Sequence, residues 1–241
     1  MSGSRRVTAI AGIALAAMLV VAFALDFAII ATTGGPPQIF LASLSADLVR
    51  ARDSAVWPIE AWLYVLQVVP FAIFILGVRA ALRDAKQEAV ADVATLAAVL
   101  FMALHTLHNL AILTVVNVLA PAYVPGAGDA MAIESVARGF LGLAYAAFLP
   151  GGGVGGLLFI AAMGGFAIAQ RRSRVFPAWS GRLATTSAVL FAIAYAQYVI
   201  APAFFISLVG FVTYIAWTTV VSVGLWQRTE SRSTVLAARP V

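Results

Sequence analysis

The chain has 241 residues, of which 63% are hydrophobic and 10% charged, with a mean hydropathy of +1.00; an ordinary soluble domain carries roughly 25% charged residues. That composition excludes a water-soluble surface, and apolar runs of about 20 residues favour helices over a barrel, whose strands alternate polar and apolar over about 10. The net charge of +5 resides at the ends of apolar runs and so reports orientation rather than a nucleic-acid surface, while the absence of cysteine excludes disulfides, thiolate metal sites and cysteine-held iron–sulfur clusters.

The expected fold class is therefore all-α, a polytopic transmembrane helix bundle forming a single domain. The first span, residues 7–30, follows Arg5 and Arg6. Ala22-Phe23-Ala24 matches a signal-peptidase pattern, but the apolar run continues to Ile30, longer than the core of a signal peptide, which favours a retained helix. Gly34-Gly35-Pro36-Pro37 ends it. In residues 38–54, Phe40, Leu44 and Leu48 recur every fourth position beside Ser45, Asp47, Arg50 and Asp53, the pattern of an amphipathic helix on the membrane surface.

The second span is residues 57–78, with Trp57 and Trp62 as interfacial anchors and Pro70 as a bend, because proline removes one backbone hydrogen bond. After a charged break from Arg79 to Glu88 comes the third span, residues 90–119, closed by Pro121 and Pro125-Gly126. Residues 131–170 are too many for one straight crossing helix, since a helix rises about 1.5 Å per residue. Pro150-Gly151-Gly152-Gly153 is the expected break, dividing an upper helix at 131–148 from a fourth span at 149–170. A broken membrane helix can present backbone groups to a substrate, but close helix approach through Gly152 and Gly156 is the favoured reading. Spans at 183–200 and 204–226 form a final hairpin through Ala201-Pro202-Ala203, before a short polar tail.

Basic residues set the orientation. With six spans and both termini cytoplasmic, Arg5, Arg6, Arg79, Arg83, Lys86, Arg171, Arg172, Arg174, Arg182, Arg228, Arg232 and Arg239 lie inside, and Arg50, Arg52 and Arg138 outside, twelve against three. A seventh span at 131–148 would reverse the parity after it and give ten against five at best. Six spans fit better, with seven as the alternative, and the preference for Arg over Lys with many Ala and Gly residues points to a bacterial cytoplasmic membrane as the expected location.

His105-Thr106-Leu107-His108-Asn109 lies near the middle of the third span, and histidines three residues apart share a helix face. Ionisable groups at that depth normally face the bundle interior. They glue helices by hydrogen bonds, or they carry protons, since imidazole titrates near neutral pH. Two histidines so spaced cannot ligate opposite faces of one haem, and no third histidine completes a His₃ zinc site, so neither cofactor nor metal is expected.

Asp26 interrupts an apolar helix and must face protein or water, with Arg138, Gln197 or Tyr198 as candidate partners. Glu60 opens the second span. An outward-opening polar cavity bounded by Asp26, Glu60, His105, His108 and Asn109 is the sharpest site hypothesis. Glu134 and Arg138, four apart, read as a surface helix pair.

The segment Arg171-Arg172-Ser173-Arg174-Val175-Phe176-Pro177-Ala178-Trp179-Ser180-Gly181, followed by two apolar helices and Trp226, resembles an uncharacterised bacterial family of multi-span integral membrane proteins known as a domain of unknown function. The resemblance covers residues 148–227. It implies a helical bundle in the cytoplasmic membrane and brings no activity, cofactor or active-site residue; His105 and His108 are not part of its pattern.

Three function classes remain, in this order: a structural or accessory membrane protein with a membrane-protein partner or a second copy of itself; a small transporter or proton-coupled channel using the midplane polar residues; and a membrane enzyme with a metal or haem cofactor. The bilayer is the expected surrounding in all three, and nucleic acid in none.

Overall fold

The computed structural model describes residues 2–34, 39, 41–147, 153–173, 175–200 and 204–237. Among them there are helices and no strands: α1 (Ser2–Thr33), α2 (Leu44–Asp53), α3 (Trp57–Leu66), α4 (Val68–Arg83), α5 (Glu88–Thr114), a π-helical segment Val115–Leu119, the single turn α6 (Ala120–Ala122), α7 (Ala130–Ala147), α8 (Gly153–Ser173), α9 (Ala178–Ile200) and α10 (Phe204–Ala237). Among the described residues, five stretches are long and apolar enough to cross a bilayer: Gly3–Thr33, Trp57–Arg83, Glu88–Ala122, Gly153–Ser173 and Leu208–Arg228. Large side chains such as Ile10, Val20, Leu76, Leu96, Leu157 and Val212 stay exposed on them, which suits lipid as the surrounding solvent.

Local chemistry explains where the helices break. Pro70 has no N–H to donate to Leu66, and the α3–α4 helix is interrupted at Gln67, one turn before the proline. The chain continues in the same direction because Gln67 still donates to Leu63 O and accepts from Phe71 N. Between α4 and α5 the turn closes through Gln87 N–H to Leu82 O, with Lys86 in the left-handed region at φ 61. Gly153 enters α8 at φ 64, a conformation open to glycine. Residues 148–152, which hold Phe148, Leu149 and the expected break at Pro150, Gly151 and Gly152, lie outside the described residues, as does the 201–203 join.

The buried side chains form two hydrophobic cores. The larger unites α1, α4, α5, α8, α9 and α10 through Leu15, Leu19, Phe74, Phe101, Phe159, Phe166, Phe191, Trp217 and Leu225. Its helices pack closely at glycines: a Cβ on Gly77 would overlap Thr8, and one on Gly12 would overlap Ser222 and Phe74. Arg5–Asp84 (3.1 Å), Arg79–Asp92 (2.6 Å) and Arg83–Glu88 join α1, α4 and α5 at the arginine-rich end.

The smaller core lies at the opposite end, hereafter the cap, and is built from Ile29, Ile39, Leu44, Leu48, Trp57, Val115, Val116, Ala120, Tyr123, Ala137 and Leu141. Four expectations change there and at the C-terminal end. Leu44 and Leu48 of the amphipathic segment are buried against protein, so α2 closes the cap rather than lying on lipid. Trp57 is 1% exposed beneath the Arg50 guanidinium, while Trp62 alone of the two expected anchors faces outward. The third span ends in a π-helical segment that lets Val115, Val116 and Ala120 all face the cap core. The last helix runs past Trp226 to Ala237, through the residues expected to form a short polar tail.

Candidate functional site

Between the two cores lies a polar layer. Along α1, the larger core reaches Leu19 and the cap core begins again at Ile29, with Asp26 between them. Along α3 and α4, Glu60, Tyr64 and Gln67 separate Trp57 from Phe71; along α5, His105, His108 and Asn109 separate Met102 from Val115. Helical periodicity makes each set: Glu60, Tyr64 and Gln67 stand at i, i+4 and i+7, and His105, His108 and Asn109 at i, i+3 and i+4, so each helix turns one polar face to the others.

Asp26 lies beside Glu60 and Tyr64. Of the candidate partners, Arg138 instead donates to Leu41 O at 3.0 Å, and the side chains of Gln197 and Tyr198 lie outside the described residues. Glu60 is 5% exposed. An ionised carboxylate only accepts, so a hydrogen bond between two carboxyl groups requires a proton on one of them. A proton on either Asp26 or Glu60 would let the two bond between α1 and α3.

The ring of Tyr64 meets that of His105 edge to face, with centroids 5.9 Å apart. His105 Nε2 lies 2.8 Å from Gln67 Nε2. The amide N–H donates there, so Nε2 is the acceptor and the neutral ring carries its proton on Nδ1. Asn109 folds back along α5, its Nδ2–H donating to His105 O at 2.7 Å. The His108 ring lies nearly parallel to that of His105, at a centroid distance of 6.4 Å and an angle of 13°. Its Nδ1 is 3.0 Å from Ala144 O on α7; a carbonyl only accepts, so Nδ1 carries hydrogen and Nε2 is the lone-pair nitrogen of the neutral ring. Tyr145 of α7 lies beyond, 6.5 Å from His108.

The structure thus brings all five candidates, Asp26, Glu60, His105, His108 and Asn109, into one layer. Asn109 positions the α5 backbone. A cavity of about 20 Å³ adjoins His105 from the side of the larger core; Gln67, His105, Tyr214 and Leu19 line it together with Phe71, Phe101, Met102, Phe159, Phe191 and Phe211.

Tyr64 and Gln67 escaped sequence reasoning, although their spacing from Glu60 on one helix face was available as a signal. No sequence signal pointed to Tyr145. Among the described residues no three His, Asp or Glu side chains converge on a metal position.

At the cap, Glu134 and Arg138 are not paired on a surface helix as expected. Glu134 accepts a 2.6 Å hydrogen bond from the Tyr123 hydroxyl, which with Ser45 holds its carboxyl below the usual range. Arg52 donates to Tyr123 O at 3.0 Å. These bonds tie α2 and α7 to the turn after α6, above the polar layer.

In comparisons with known proteins, no family model, no curated protein and no solved structure matches this chain. The polar layer is therefore read on its chemistry alone.

Proposed function

We propose that this chain is a small proton-coupled transporter or channel of the bacterial cytoplasmic membrane, in which Asp26, Glu60, Tyr64, His105 and His108 form an intramembrane polar track. It crosses the membrane six times, through α1, the bent α3–α4 helix, α5, α8, α9 and α10. The arginine-rich end and both termini face the cytoplasm, as the positive-inside bias supports. The observation that carries the reading is the Asp26–Glu60 pair: two carboxyl groups from different helices meet at membrane depth, beside a phenol and two imidazoles. Each of these groups can take up and release protons, and ionisable groups so placed mark proton relays in pumps and transporters.

The Gln67–His105 bond favours a second reading, an accessory protein whose polar layer locks the bundle for a membrane-protein partner or a second copy of the chain. Reconstitution separates the two. Liposomes holding the protein, given an imposed pH gradient, should dissipate it, and Asp26→Asn or His105→Ala should slow that flux at least about tenfold. Variants that assemble and carry protons at the unaltered rate overturn the transport reading.

A further inference from the structure

The polar track lies toward the cap, and the larger core stands between it and the arginine-rich end. Five phenylalanines and Tyr214 occupy that position. Phe101 stacks on His105 with ring centroids 5.5 Å apart, Phe159 lies 5.0 Å from Phe101, and Tyr214 lies 5.2 Å from Phe159. A continuous aromatic wall would stop a proton, because phenylalanine neither donates nor accepts one.

A cavity of about 20 Å³ opens in the wall. A water molecule needs at least about 10–15 Å³ and two to four polar partners. Gln67, His105 and Tyr214 all line this space, drawn from the α3–α4 bend, α5 and α10. Tyr214 supplies an independent indication. The residue is 4% exposed, and its hydroxyl is buried with no hydrogen-bond partner among the described residues; Thr218 comes near it but stays outside hydrogen-bonding geometry. The space is mostly apolar, but Tyr214, whose buried hydroxyl needs a partner, lines it together with Gln67 and His105, and an internal water there would supply that partner.

We infer that this cavity is a hydration site for a single water, which carries the track across the aromatic wall from His105 to Tyr214 and restricts it to protons. The inference rests on the transport reading for its function, but not for the site itself. One water bridging an imidazole and a phenol can pass a proton by exchanging hydrogen bonds, without a hydronium ion occupying the space. Sodium or potassium would have to enter almost stripped of water, against phenylalanine faces and with too few oxygen ligands to replace its shell. Past Tyr214, a second pair of buried polar groups lies on the way to the arginine-rich end: Gln170, whose Oε1 accepts from Trp217 Nε1 at 3.1 Å, and Thr95. The Gln170 Nε2 and Thr95 Oγ1 atoms have no hydrogen-bond partner among the described residues.

The test combines an experimental map of the full chain with ion flux in liposomes. A map that resolves other buried waters should show one peak in the cavity within hydrogen-bonding distance of the Tyr214 hydroxyl; such a map with no peak there overturns the hydration site. Wild-type liposomes should carry protons and neither sodium nor potassium, and a comparable flux of either metal ion overturns the restriction to protons. Tyr214→Phe keeps the ring packed on Phe159 and Trp217, so the bundle should assemble while proton flux falls at least about tenfold. Leu19→Phe, which fills the cavity without touching a polar group, should have the same effect. Flux within about twofold of wild type in both variants overturns the role of the water. If the wild-type protein carries no ion, the transport reading fails, and the map alone then upholds or overturns the hydration site.

Discussion

Gln67 and His105, on the α3–α4 bend and on α5, are joined side chain to side chain at 2.8 Å inside the bundle. Gln67 stands at the interruption between α3 and α4, level with His105 of α5. Interhelical hydrogen bonds within a membrane are worth about 0.6–2 kcal/mol. Gln67→Leu should therefore lower unfolding free energy in detergent by about 1 kcal/mol. In a double-mutant cycle with His105→Ala the two losses should not add; fully additive losses would show that the bond contributes nothing to stability.

The Asp26–Glu60 pair separates stability from proton handling. Asp26→Asn retains an amide that can donate to Glu60, so thermal unfolding should change little while the titratable group at position 26 is lost. Asp26→Ala removes the partner of a buried carboxyl and should cost about 1–3 kcal/mol. Equal stability of the two variants would show that Glu60 does not depend on position 26.

Glu134 makes the cap sensitive to acid. Its hydrogen bond from Tyr123 lowers the folded-state pKa, so its contribution is present above the unfolded carboxyl value of about 4.3 and is lost as pH falls through the lower folded value. Hydrogen exchange at α2 and at the start of α7 should speed up below about pH 4. Glu134→Gln should flatten that dependence, and an unchanged acid response in the variant would place its origin elsewhere.

Glycines should divide by what a Cβ would meet. At Gly77 it would overlap Thr8 of α1, and Gly77→Ala should destabilise by about 1–3 kcal/mol through forced separation of the helices. Gly139, inside α7 with nothing near its Cβ position, should gain about 0.5–1 kcal/mol in Gly139→Ala. Thermal unfolding of the two variants side by side checks the contrast, and equal effects would contradict the close α1–α4 contact.

How much was legible from residues alone follows from the kind of signal each feature leaves. Apolar runs near Val7, Trp57, Val90 and Phe204 announce helices because lipid demands that every backbone group be satisfied within its own segment. Asp26, His105 and His108 stood out for the same reason, as ionisable groups inside such runs. Tyr64 and Tyr145 left no comparable mark, because tyrosine is common in membrane helices. Glu134 misled: its i+4 neighbour Arg138 suggested a local pair, yet Tyr123, which is close only once the chain turns after α6, is its hydrogen-bond partner.

By itself, then, the sequence determined the solvent, the helical class, the positions of most helices and the costly residues that must turn inward, since these follow from local composition and the length of a bilayer crossing. Only the tertiary structure decided that Asp26 meets Glu60 rather than a cation, that α2 closes a second core, and that a water-sized space joins His105 to Tyr214. Those depend on how helices far apart in the chain rotate and pack against one another, which the apolar pattern of each helix leaves open when lipid and protein interior are equally apolar.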